Sequence, residues 1–206
     1  MSKPARAERR RIARTSSLRP RRLGILLAAG VGVVIGLTIL AVQGMHPALR
    51  HSTQGGGSGG TFRIVAYQGE AILGGKETTF DRVFEQGKPV VLNFWAGNCP
   101  SCQVEMPAFE KVSTELAGKV IVVGIDVGPF TGLGTHEDAV KLYTQLGIHY
   151  PLAYAVDAAP MQLFAVEGMP TTVFLTAKGQ VVDRVTGILT EDQLRSEIQQ
   201  KLLATS

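Results

Sequence analysis

Cys99 and Cys102 are the two cysteines of a 206-residue chain, three positions apart in NFWAGNCPSCQVEMP, residues 93–107. A pair at this spacing can exchange thiol for disulfide, hold half of a metal site, or close a small structural ring. At the first turn of a helix the two sulfurs can meet, and the partial positive charge of the helix amino end stabilises a thiolate. A structural zinc site takes about four ligands, usually from a second pair. The chain has no second CxxC, and His46, His51, His136 and His149 are scattered along it. A disulfide stabilises most when it closes a long loop, and this ring is very short. The residues therefore favour redox chemistry, with metal binding and a structural ring as the alternatives.

The elements that must hold the pair are legible around it. KPVVLNFWA, residues 88–96, is a continuous apolar run of the kind that forms a buried central strand. The cysteines then fall at the carboxyl end of a strand, where open α/β sheets place their sites. From Cys99 to about Ala117 the pattern predicts a helix, interrupted by a kink at Pro107 and ended by Gly118. Residues 119–127, KVIVVGIDV, predict a second buried strand, followed by a Gly-rich loop to Thr135. HEDAVKLYTQLG, residues 136–147, predicts an amphipathic helix stopped at Gly147. Upstream, TFRIVAY alternates as a strand does, GEAILGGKETTF predicts a hairpin turning at Gly74-Gly75, and DRVFEQG a short helix closed by Gly87. Downstream, residues 171–187 predict two strands around an Ala-Lys-Gly turn, and residues 190–203 a final helix capped by Thr190. This order of strands and helices implies an α/β sandwich with a central mixed sheet flanked by helices.

The net charge of +4 hides an asymmetry. Residues 1–22 carry nine Lys/Arg against Glu8, whereas residues 43–206 carry an excess of four acids. The basic excess is confined to one short arm, so nucleic acid is not an expected partner. Residues 23–42, LGILLAAGVGVVIGLTILAV, contain no charge. Twenty such residues rise about 30 Å as a helix, the thickness of a bilayer core. A cleavable signal peptide has a shorter apolar core and a small-x-small cleavage site, so an uncleaved anchor is the expectation. The cationic arm should stay cytoplasmic, which places everything after the anchor in an extracytoplasmic, disulfide-permissive space. Residues 43–60 end in five glycines and a serine and read as a flexible tether. The expected organisation is a basic arm (1–22), a transmembrane anchor (23–42), a linker (43–60) and a globular head (61–206).

A second motif lies far from the first. VEGMPTTVFL places Pro170 at the head of a strand, with Met169 before it. Proline is tolerated at the first residue of a strand. A cis bond at Met169–Pro170 would go further and leave backbone carbonyl and N–H groups beside the cysteines to hold a substrate's extended chain.

The combination of PVVLNFWAGNCPSCQVEMP, VIVVGIDV and VEGMPTTVFL, in that order, resembles the thioredoxin superfamily, and more narrowly the membrane-anchored TlpA/ResA-like thiol-disulfide oxidoreductases. The resemblance covers about residues 62–203. It implies a thioredoxin-like fold with an N-terminal hairpin (61–80) and an inserted segment before the cis-proline (128–165). It implies Cys99 as the exposed nucleophile, Cys102 as the buried resolving cysteine, and a redox-active Cys99–Cys102 disulfide with no further cofactor. Pro170 matches the cis-proline, and Met169, Asn98 and Trp95 fall at positions near a substrate. Glu105 matches an acid that shuttles the resolving thiol's proton, with an exposed helix carboxylate as the alternative. Asn93 stands where cytoplasmic thioredoxins bury an aspartate. Asn98 replaces a tryptophan common just before the nucleophile, a departure that bears on partner choice. Pro100 and Ser101 tune the redox poise. The implied activity is reduction of protein disulfides, with apocytochrome c as a target and a membrane electron donor of the CcdA/DsbD type. Rival readings are a disulfide-donating oxidase using the same residues, and a copper-binding protein drawing on Met169 or His136.

Overall fold

A computed structural model describes residues 60–204. The basic arm, the apolar span 23–42 and nearly all of the tether lie outside the described residues. Among the described residues no helix is long and apolar enough to cross a membrane.

Seven strands form one sheet: β1 (Arg63–Gln68), β2 (Glu77–Thr79), β3 (Val90–Trp95), β4 (Ile121–Asp126), β5 (Leu152–Ala155), β6 (Thr171–Leu175) and β7 (Val181–Thr186). Their spatial order is β2-β1-β5-β4-β3-β6-β7. β3 runs parallel to β4 and antiparallel to β6, so the sheet is mixed as the sequence implies. Every residue of β3 is buried, which is why its run carries no polar alternation. The pleat still sorts them. Val91 and Trp95 join a core with the helix bearing the cysteines, whereas Val90, Leu92 and Phe94 join a second core on the opposite face. Burying each such large apolar side chain is worth about 1.5–3 kcal/mol, so β3 anchors both layers. Asn93, the polar residue of this strand, shares the pleat face of Val91 and Trp95.

Helices α1 (Glu70–Leu73), α2 (Pro100–Glu115), α3 (Gly128–Thr131), α4 (His136–Leu146), α5 (Ala159–Leu163) and α6 (Glu191–Ile198) complete the fold, with a 3₁₀ helix at Phe80–Gln86 and a π turn at Gln199–Leu203. Both longer N-terminal caps are reciprocal. Thr135 accepts from the Asp138 N–H while Asp138 accepts from the Thr135 N–H, and Thr190 and Gln193 do the same at α6.

The structure differs from the sequence expectations at four places. The predicted hairpin of residues 69–80 contains a helical turn, α1, between Gly69 and Gly74, both left-handed, and only Glu77–Thr79 pairs back onto β1. α2 is one continuous element through Pro107, because both Pro107 and Gln103, whose carbonyl the proline leaves without a helical donor, face solvent. The loop after β4 begins with α3. β5 was not expected: its four residues have no period of their own and become a strand by pairing with β1 on one side and β4 on the other.

α4 presses its first turn against the loop between β3 and α2. A Cβ on Gly97 would lie 2.4 Å from the Ala139 nitrogen and 2.5 Å from the Asp138 carbonyl carbon. Gly97→Ala is expected to force this contact apart and to destabilise the protein by about 1–3 kcal/mol, as overpacking does. An unchanged thermal unfolding midpoint would show that the loop yields without cost.

Candidate redox site

Cys99 is the N-cap of α2 and Pro100 its first residue, where the missing proline N–H costs nothing. The two sulfurs are bonded, with S–S 2.07 Å and Cα–Cα 5.3 Å. The Cys102 N–H donates to Cys99 Sγ at 3.2 Å, so a first-turn amide of the helix is already aimed at the sulfur that would carry charge after reduction. Cys102 has no exposed surface and Cys99 only 3%.

A cavity of about 400 Å³ opens beside the pair. The active-site turn contributes Cys99, Pro100 and Ser101. The segment 166–169 contributes a second wall, and Thr131, Leu133 and Met161 of the inserted region a third. Cys102 does not line it. The asymmetry between a cavity-facing and a buried cysteine is what sequential attack and resolution require. Met169–Pro170 is cis, and Pro170 is buried behind Met169. The Met169 carbonyl accepts one hydrogen bond, from the Ser101 hydroxyl at 3.3 Å.

One turn beyond Cys102, Glu105 is 1% exposed. It is thus not a surface helix carboxylate. Asn93 Nδ2 donates to Glu105 Oε1 at 2.7 Å, and the Leu189 N–H donates to Oε2 at 3.2 Å. Burial pushes its pKa from the ordinary 4.5 up to about 8, against the pull of these two donors. Asn93 takes part only as this donor and as one to Thr172 Oγ1 at 3.3 Å.

Trp95 fills the core, and Asn98 stands exposed on the turn just before Cys99. Trp95 has no exposed surface and lines neither cavity described here, because β3 is covered on both faces; it fills the core against Gly124. Asn98 is exposed but lines a second, more open cavity of about 620 Å³ with Pro129, Gly132, Gly134 and the first residues of α4. Its N–H donates to the Leu133 carbonyl at 2.7 Å and its side chain to Asp138 Oδ2 at 3.1 Å. It ties the inserted segment to the cysteine turn. The residues that sequence reasoning missed, Thr131, Leu133 and Met161, come from this insertion. No local signal marks them, since they reach the site only through the fold.

His136 belongs to another network. Its Nδ1 lies 3.1 Å from Asp126 Oδ2, and Tyr67 donates to the same oxygen at 2.8 Å. Burial and the neighbouring Asp126 raise the Tyr67 hydroxyl above its ordinary range, keeping it a neutral donor. His136 lines the second cavity, whereas Met169 lines the cavity beside Cys99.

The fold and this site agree with what is known of similar proteins. The thioredoxin-like domain family matches residues 77–202. The chain belongs to that family. Among its relatives, the thioredoxin-like protein YneN of Bacillus subtilis (strain 168) is 35% identical over 120 residues, covering 57% of this chain and 65% of the relative. The thiol-disulfide oxidoreductase ResA of the same organism is 30% identical over 110 residues, covering 53% and 59%. The chain thus spans less than two thirds of the length of these two relatives. The crystal structure of StoA from Bacillus subtilis superposes with a TM-score of 0.55 at 18% identity, over 68% of this chain and 97% of that one, and shows the shared fold.

Glu105 links the site to stability. An unfolded glutamate is ionised above its ordinary 4.5, whereas the folded one stays protonated up to about 8. Between these values the unfolded state holds fewer protons, so stability falls as pH rises through the window. Glu105→Gln should remove that slope. Equal slopes for the variant and the parent in denaturant melts across this range would mean that Glu105 is already ionised in the fold.

Proposed function

We propose that this chain is a membrane-tethered, extracytoplasmic thiol-disulfide oxidoreductase that reduces disulfides in other proteins. The observation that carries the reading is the unequal placement of the pair: Cys99 faces a cavity at a helix amino end, and Cys102 lies wholly buried behind it. The names of the relatives, thioredoxin-like protein and thiol-disulfide oxidoreductase, support the same chemistry.

In the reduced state the Cys99 thiolate attacks one sulfur of a substrate disulfide. The other substrate sulfur leaves as a thiolate and takes up a proton, and a mixed disulfide forms. Cys102 loses its proton to the ionised form of Glu105, held one turn further along the same helix, and attacks Cys99 Sγ. The second substrate thiol is released, and Cys99–Cys102 is a disulfide again. Two electrons have passed to the substrate, and a membrane donor of the CcdA/DsbD type returns them. Apocytochrome c is the proposed target, a reading that rests on the TlpA/ResA-like resemblance of the sequence motifs. The arm and uncharged run of residues 1–42 support the tether and its orientation.

Cys99→Ala should abolish reduction of insulin disulfides, and Cys102→Ala should accumulate mixed disulfides on non-reducing gels. Trapping by Cys99→Ala instead would reverse the two roles. The direction of electron flow is read from the reduction potential of the full-length protein. A value near the roughly −270 mV of thioredoxin fits a reductant, and one near the roughly −120 mV of DsbA would make the protein an oxidase.

A further inference from the structure

The Ser101 hydroxyl stands between two acceptors and has one proton to give. Its oxygen is 3.3 Å from Cys99 Sγ and 3.3 Å from the carbonyl oxygen of Met169. All three residues line the same cavity. Both acceptors are within reach of one oxygen position, so turning the O–H bond alone changes the partner.

Which acceptor wins depends on the state of the sulfur. In the disulfide, Cys99 Sγ is uncharged and a weak acceptor, and the amide carbonyl is the better one. In the reduced enzyme the sulfur becomes a thiolate, and hydrogen bonds to an ionised partner are about twice as strong as neutral ones. The hydroxyl then belongs on Cys99, beside the Cys102 N–H that already points there. Nothing else in the turn can play this part. Pro100 has neither an N–H nor a polar side chain, and Cys102 is buried.

We propose that Ser101 is a redox-gated switch: its proton covers the Met169 carbonyl in the disulfide form and the Cys99 thiolate in the reduced form. The carbonyl is consequently free of this competing donor, and a better acceptor for a substrate backbone N–H, when the enzyme is ready to attack. No covalent bond changes, since the proton stays on Oγ throughout. In the mixed disulfide Cys99 Sγ is neutral once more, and the hydroxyl competes for Met169 against the substrate. That competition favours release of the reduced chain as Cys102 closes the disulfide. The proposal rests on the reading of Cys99 as the thiol that meets the substrate.

The test compares the full-length protein with Ser101→Ala and Ser101→Thr. One readout is the pH dependence of Cys99 alkylation by iodoacetamide in the reduced protein. The ionisable groups around the sulfur are Glu167 across the cavity, Cys102 beside it and Glu105 behind Cys102, and all are common to the three proteins. Loss of a hydrogen bond to a charged group should raise the midpoint by about one pH unit in Ser101→Ala. Ser101→Thr, which keeps a hydroxyl, should stay near the parent. The second readout is the carbonyl ¹³C resonance of Met169 in methionine-labelled protein, assigned by its loss in Met169→Leu. It should move on reduction in the parent and in Ser101→Thr, and stay still in Ser101→Ala. An unchanged alkylation midpoint in Ser101→Ala, or a Met169 carbonyl that responds to reduction just as much without the hydroxyl, overturns the switch. Alkylation at Cys102 in preference to Cys99 overturns instead the assignment of the nucleophile.

Discussion

The Cys102 amide reaches Cys99 Sγ at 3.2 Å because a strand buried on both faces delivers the chain to the first turn of a helix. β3 has no freedom to slide. Its alternate residues are committed to two different cores, and a shift by one residue would exchange them. The N-cap of α2 is therefore held at a fixed height above the sheet, and the amide that favours a thiolate is aimed before any substrate arrives. Cys102, three residues on, must then point down into the core. Unequal access of the two sulfurs follows from this one junction.

The third wall of the cavity belongs to the segment between β4 and β6, and it is held by polar contacts. Asn98 grips the Leu133 carbonyl and the cap residue Asp138, while Asp126 gathers Tyr67, His136 and the Gly128 N–H. Gly97 lets the first turn of α4 come close enough for these bonds to form. Asn98 thus replaces an apolar wall with an anchor. The surface offered to a partner is set by Leu133 and Met161 on one side and by Val166 to Met169 on the other.

Beneath the pair, Asn93 and Glu105 form a polar island within apolar surroundings. Two donors hold the carboxyl group, yet burial outweighs them and keeps it protonated to about pH 8. In its ionised form this carboxyl can take a proton as Cys102 gives one up, and it can return that proton afterwards. Ser101 works on the opposite side of the disulfide, where it adjusts the thiolate and the substrate-facing carbonyl together. The two sulfurs are thereby served by separate groups, Cys102 by Glu105 and Cys99 by the helix amide and Ser101.

Much of this was legible along the chain because its signals are local. The CxxC spacing, the apolar runs of β3 and β4, the cap at Thr190, and Pro170 at the head of β6 each act within a few residues. Those features alone determined the α/β order and the position of the redox pair. Tertiary structure decided the rest, since it depends on contacts across many residues. β5 is a strand only because β1 and β4 flank it. Trp95 lies wholly in the core because both faces of its strand are covered. Glu105 is buried because the Leu189 amide, 84 residues away, closes over it. The Met169 carbonyl accepts from Ser101, 68 residues earlier in the chain, and only the folded chain brings that single hydroxyl within reach of both the carbonyl and the sulfur.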